Sequence, residues 1–140
     1  MNDKKRISTI FLESGVHCDW GKLIWSSSIP SSKTLVLWKV FHGRLPTDQH
    51  IQNKGLNTCS MFTLCEKHEE SIQHLFFACS NALHIWSWVR HIFLTSHFSN
   101  KDYFLSFIKS DSSPLVKLIK FVVITFSLWM IWRMRNYARF

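Results

Sequence analysis

Paired aspartates are missing from this chain. Its five aspartates, Asp3, Asp19, Asp48, Asp102 and Asp111, stand apart from one another, whereas two-metal nucleotidyl-transfer and nuclease centres hold their ions between clustered carboxylates. An autonomous enzyme of that kind is not expected. Glycine is scarce as well: the four, at 15, 21, 43 and 55, form no glycine-rich run, so no phosphate-cradling loop is present. The most apolar stretch, Leu115 to Trp132, has only 12 residues between Lys120 and Arg133, short of the about 20 that a bilayer-spanning helix needs. Met1 to Arg6 leads into only a brief apolar run at Ile10-Phe11-Leu12, which does not make a secretory leader. The four cysteines are therefore expected as reduced thiols in the cytosol or nucleus, not as two disulfides.

What is abundant is positive charge and apolar bulk. Lys and Arg number 17 against 9 Asp and Glu, a net charge of +8, which favours polyanionic partners such as nucleic acid. The alternative is a basic surface that serves solubility, since only Lys4-Lys5-Arg6 are contiguous and no stripe is visible. At 140 residues and 46% hydrophobic content the chain has enough apolar material for one compact core.

The organisation reads as mainly α, a small helical domain around a knuckle-like loop, followed by a separate hydrophobic C-terminal helix. Residues 1–17 form a lead-in, 18–94 the domain, 95–114 a linker that includes the Ser/Pro stretch Ser110 to Pro114, and 115–140 the helix and basic tail. Leu35, Leu37, Trp38, Val40 and Phe41 recur at three- and four-residue intervals and predict a helix over 33–42 ended by Gly43. Leu45-Pro46-Thr47 restarts the chain: the residue before proline is held extended, Thr47 is a good N-cap and Asp48 suits the positive helix end. That short helix should stop at Gly55. Ser80 is a candidate cap for a helix over 81–94 burying Leu83, Trp86, Val89 and Phe93, and a short helix is expected over 102–109. The segment Leu115 to Trp132 is apolar nearly all round, so protein, a partner or lipid must cover it.

The densest chemistry lies between Cys59 and Trp86. Cys65, eight residues, His74, four residues, Cys79 is a run of thiolate and imidazole donors of the kind tetrahedral zinc requires at about 2.0 to 2.3 Å. A fourth donor is the question. Position 62, three before Cys65, is Phe62, which cannot bind a metal, and Cys59 makes a Cys-x5-Cys pair, longer than the usual gap. His74 has a second reading as a hydrogen-bonded core histidine. His68 reads as a solvated loop histidine or a substitute ligand, and Cys18 as a free thiol. A Cys65 nucleophile with a His74 base is the weaker use of the same residues.

These residues carry a resemblance. Trp25, Ile29-Pro30, Leu37 to Asp48, Lys54-Gly55, Ser60-Met61, Leu64-Cys65, Glu70 to Cys79 and Trp86 resemble the zinc-binding domain of reverse transcriptases in plant non-LTR (LINE-type) retroelements and their truncated copies. Trp129 to Asn136 with Arg139-Phe140 resemble the segment that follows it. The resemblance covers about residues 20–89 and the last dozen. It implies metal ligands in the order Cys-x2-Cys, His, Cys, of which this chain supplies Cys65, His74 and Cys79, departs at Phe62, and offers Cys59 as the nearest substitute. It implies zinc as cofactor and a non-catalytic accessory role in a polyprotein whose polymerase and ribonuclease H residues are elsewhere.

Three functions follow as expectations. The first is non-specific binding of RNA or single-stranded DNA, with Lys39, Arg44, Lys54 and Lys67 as candidate contacts. Lys39 and Arg44 have an equal reading as side chains that lay their stems on apolar surface. The second is a degenerate remnant that folds but binds nothing. The third is a small membrane-associated protein held by Leu115 to Trp132. The nucleus or cytoplasm is the expected location, a membrane the alternative, and no small-molecule substrate is implied.

Overall fold

The computed structural model describes residues 29–57, 62, 64–95, 98–110 and 113–140; Cys18, Trp25 and the candidate ligand Cys59 lie outside them. The described chain is mainly helical, with no strand among the described residues. Its helices are α1 (Ser31–Phe41), α2 (Asp48–Gln52), α3 (Ser80–Phe93), α4 (Lys101–Lys109) and α5 (Pro114–Arg139), with a wide helical turn at His74–Ala78 just before α3.

Local chemistry sets most of the helix ends. Gly43 and Gly55 adopt φ of +61° and +83°, the left-handed conformation that glycine enters at no steric cost, and so turn the chain after α1 and α2. The Thr47 hydroxyl accepts from the His50 N–H at 3.3 Å, and Asn100 accepts from the N–H groups of Asp102 and Tyr103; each satisfies donors that a helix start would leave orphaned. Pro114 sits at the first position of α5, where its missing N–H costs nothing.

The core gathers Ile29, Leu37, Val40, Leu75, Phe76 and Trp86 with Ile124 and Leu128 from α5. Helix α5 packs on α1, and also on α3, α4 and the wide turn. Its buried residues Phe121, Ile124, Leu128, Ile131 and Arg135 recur every three to four positions, the spacing that keeps one face toward a neighbour. By length and composition alone α5 could cross a membrane; here one face lies against the other helices.

Two expectations are corrected. The stretch 95–114, expected as a linker, contributes Phe98, Phe104, Phe107 and Ile108 to the buried core. Phe98 and Phe104 stand 5.4 and 4.8 Å from the ring of Trp86, and such aromatic pairs contribute about 0.5–1.5 kcal/mol beyond their buried area. In α3 the buried face runs through Ala82, Trp86 and Val89, while Leu83 is exposed and Phe93 half-buried. The Trp86 indole N–H donates to the Phe76 carbonyl at 2.6 Å, and that bond fixes which side of α3 faces inward. Lys120 is buried too, donating to the Phe107 carbonyl and the Ser110 hydroxyl at 3.1 Å each, so its charge meets the negative C-terminal end of α4.

Candidate metal centre

The chain approaches the site through Ser71. Its hydroxyl accepts from the His74 N–H at 3.0 Å and its carbonyl from the Leu75 N–H at 2.8 Å, which starts a helical turn. In a regular α-helix His74 and Cys79, five residues apart, would project roughly 140° away from each other. The turn over His74–Ala78 is widened instead: the Cys79 N–H donates to the His74 carbonyl at 2.7 Å, an i→i+5 bond of the sort often found at functional sites. The extra residue brings Cys79 back beneath His74. Cys79 itself is extended, with φ −64° and ψ 140°, and its carbonyl receives the N–H of Leu83 at 2.9 Å as α3 begins.

Cys65 reaches the same place from the loop before. Its sulfur lies 3.1 Å from His74 Nε2, and the donor atoms of Cys65, His74 and Cys79 all lie within 4.8 Å of one another. Ligands of one tetrahedral zinc at its usual bond lengths stand roughly 3.3–3.8 Å apart, so this donor set, two thiols and an imidazole, fits a zinc ion with only small side-chain adjustment. Cys79 is buried and the other two half-buried. Burial holds His74 below its ordinary 6.5, and the neighbouring His68 pushes it the same way; a neutral imidazole is the ligand form. Burial raises the Cys79 thiol above its ordinary 9.0, outweighing the Asn81 and Ala82 N–H groups, which favour the thiolate.

The structure brings three of the four predicted metal ligands together. Phe62, at the position of the absent cysteine, is fully buried, and its ring meets His74 edge-on at a centroid separation of 5.7 Å. It is a core residue. The candidate nucleic-acid contacts are spread out. Lys39 is half-buried on α1, Lys54 is exposed in the turn after α2, and Lys67 is exposed in the loop beside Cys65. The Arg44 guanidinium lies 5.3 Å from the Trp38 ring, which stacks on His42 at 4.6 Å.

Sequence reasoning missed the polar cluster beneath this site. Glu70, four residues before His74, is buried with Arg135 and Asp48. The one local signal is that Arg135 falls on the same three- to four-residue stripe as Phe121, Ile124, Leu128 and Ile131; Glu70 lies outside any helix and carries none.

A family model described as zinc-binding in reverse transcriptase matches residues 4–86, more than half of the chain and inclusive of Cys65, His74 and Cys79. No curated protein and no solved structure matches the chain.

Proposed function

The chain belongs to the family of zinc-binding domains of reverse transcriptase, and from that premise we propose that it is a non-catalytic accessory domain that zinc staples and that binds single-stranded nucleic acid without sequence preference. The convergence of Cys65, His74 and Cys79 within 4.8 Å carries the reading. A zinc ion there supplies a cross-link between the Cys65 loop and the start of α3, and metal binding then becomes folding free energy. The LINE-type retroelement origin, as in plants, and a truncated reading frame belong to the same proposal, on the strength of the motif residues.

The nucleic-acid part rests on charge and on one surface feature. The net charge is +8, and at the end of α1 the side chains of Trp38, His42 and Arg44 form a stack; Lys39 is half-buried on the same helix. Base stacking on aromatic groups contributes about 1–3 kcal/mol per base, and lysine and arginine neutralise phosphates with release of counterions. Lys54 and Lys67, exposed elsewhere on the surface, are further candidate phosphate contacts. Fluorescence anisotropy with a labelled single strand of mixed sequence tests this: binding should weaken steeply as salt rises, and Arg44→Ala should weaken it uniformly across sequences. Absence of binding at low salt refutes it and leaves a folded remnant without a ligand. The nucleus or cytoplasm is the location this function requires.

A second reading is favoured by the outward face of α5. Leu115, Ile119, Phe126 and Met130 are exposed and, four, seven and four residues apart, share one side of the helix, as a membrane-associated helix would.

A further inference from the structure

Zinc held by Cys65, His74 and Cys79 alone has a vacant fourth position, and structural zinc sites fill theirs with protein. Phe62 cannot fill it: the side chain has no donor atom and is wholly buried. The residues around Phe62 show what takes over. The Phe62 N–H donates to the His68 carbonyl at 2.9 Å and the Phe62 carbonyl accepts from the Glu66 N–H at 2.8 Å, while Glu66 adopts a left-handed φ of +52°. These bonds tie Glu66 and His68 back to Phe62 and anchor the backbone of His68 to the residue that stands where the cysteine is absent. Within this segment Cys65-Glu66-Lys67-His68 has the two-residue gap of a zinc-ligand pair.

The ring of His68 already lies beside the site. Its centroid is 5.0 Å from that of His74, with the planes inclined at 60°. Two imidazoles bound to one tetrahedral zinc at about 2.0–2.1 Å have their ring centroids roughly 5 Å apart. His68 is exposed, so its side chain is free to rotate the remaining distance; its nitrogens are not among the donors that converge within 4.8 Å.

We propose that His68 is the fourth zinc ligand of this chain, so that the ligand pair has moved three residues along, from positions 62 and 65 to Cys65-x2-His68, and closes on His74-x4-Cys79. The proposal rests on the zinc-binding reading above. A two-thiolate, two-imidazole site follows.

The test uses the full chain titrated with cobalt(II), whose visible absorption reports tetrahedral geometry and thiolate number, followed by zinc competition against a chelator. The variants are His68→Asn, Cys59→Ser and Cys79→Ser. The expected result is an intense tetrahedral spectrum in the wild type, unchanged in Cys59→Ser. In His68→Asn it should be weakened, with zinc affinity lower by more than roughly tenfold, a loss that even an outer-shell partner can cause. The imidazole nitrogen resonances of His68 should shift when zinc is added to the wild type. If His68→Asn keeps the wild-type spectrum and affinity while Cys79→Ser loses both, the zinc site stands and His68 is not its ligand. A wild-type chain that takes up no cobalt overturns both readings. Since His68 is an exposed loop residue, circular dichroism should show equal helix content in His68→Asn and the wild type before metal is added.

Discussion

Arg135, near the end of α5, reaches back across 65 residues of chain to Glu70, donating from Nε to Oε2 at 2.9 Å and from Nη2 to Oε1. Both side chains are almost wholly buried. The same carboxylate accepts from the Asp48 N–H at 3.2 Å, and Asp48 pairs with Arg139 at 2.6 Å. Glu70 thus joins the start of α2, the last turns of α5 and the segment that leads into His74. A two-pronged guanidinium–carboxylate contact fixes orientation as well as distance, so the C-terminal tail is tied to the segment that leads into the candidate ligand His74.

Removing Glu70 leaves the Arg135 charge buried without its carboxylate, and removing Arg135 leaves Glu70 only the longer ionic contact with Arg139 at 3.7 Å. Arg135→Leu and Glu70→Leu should each destabilise the chain by about 3–5 kcal/mol, and the double variant by clearly less than their sum. Arg135→Lys should recover little, because an ammonium cannot reproduce the fork. Urea unfolding followed by circular dichroism measures all four; a loss under about 1 kcal/mol in the single variants would show that the pair is dispensable.

The response to pH has a definite sign. The native value of His74 is depressed, so its contribution to the metal-free fold is present above 6.5 and is lost as pH falls through the native value. That of Cys79 is raised; its contribution is present below 9.0 and is lost as pH rises through the native value. The metal-free chain should be most stable between these limits. Zinc binding displaces protons from both thiols, so the rise in Tm on adding zinc should grow from about pH 6 to about pH 8. Thermal melts with zinc and with a chelator at each pH measure it, and an increment independent of pH would argue against thiolate ligation.

Phe62→Cys should have two opposed effects. A Cys-x2-Cys pair at 62 and 65 offers a thiolate in place of the His68 imidazole and should tighten zinc. Loss of the buried ring should lower the stability of the metal-free chain by roughly 3 kcal/mol, as for other large-to-small changes of phenylalanine in cores. Chelator competition and metal-free urea melts separate the two; wild-type zinc affinity in this variant would mean that position 62 is out of reach of the site.

Helix α5 should stay with protein. Lys120 is buried against the end of α4 and Arg135 against Glu70, and withdrawing the helix into lipid would break both contacts. Carbonate extraction of cells expressing the intact chain should release it to the soluble fraction. Retention that depends on 115–140 would instead favour the membrane reading.

The sequence alone determined what is local. The turns at Gly43 and Gly55, the Thr47 cap and the mainly helical class are short-range consequences of backbone freedom, side-chain oxygens and apolar spacing. So is the candidacy of Cys65, His74 and Cys79, because donor type and interval are properties of the chain itself. Tertiary structure decided the rest. A separation of five positions places His74 and Cys79 apart on a regular helix, and only the widened turn, held by the packing of Leu75, Phe76 and Phe77 and by the Trp86 bond to Phe76, makes them neighbours. Phe98, Phe104 and Phe107 looked like part of a connection because their partners, Trp86 and Phe93, belong to another helix. Arg135 looked like a basic tail residue because Glu70 is 65 positions away: a charge becomes a core contact only when folding removes the water around it, and no local pattern records which distant carboxylate will be there.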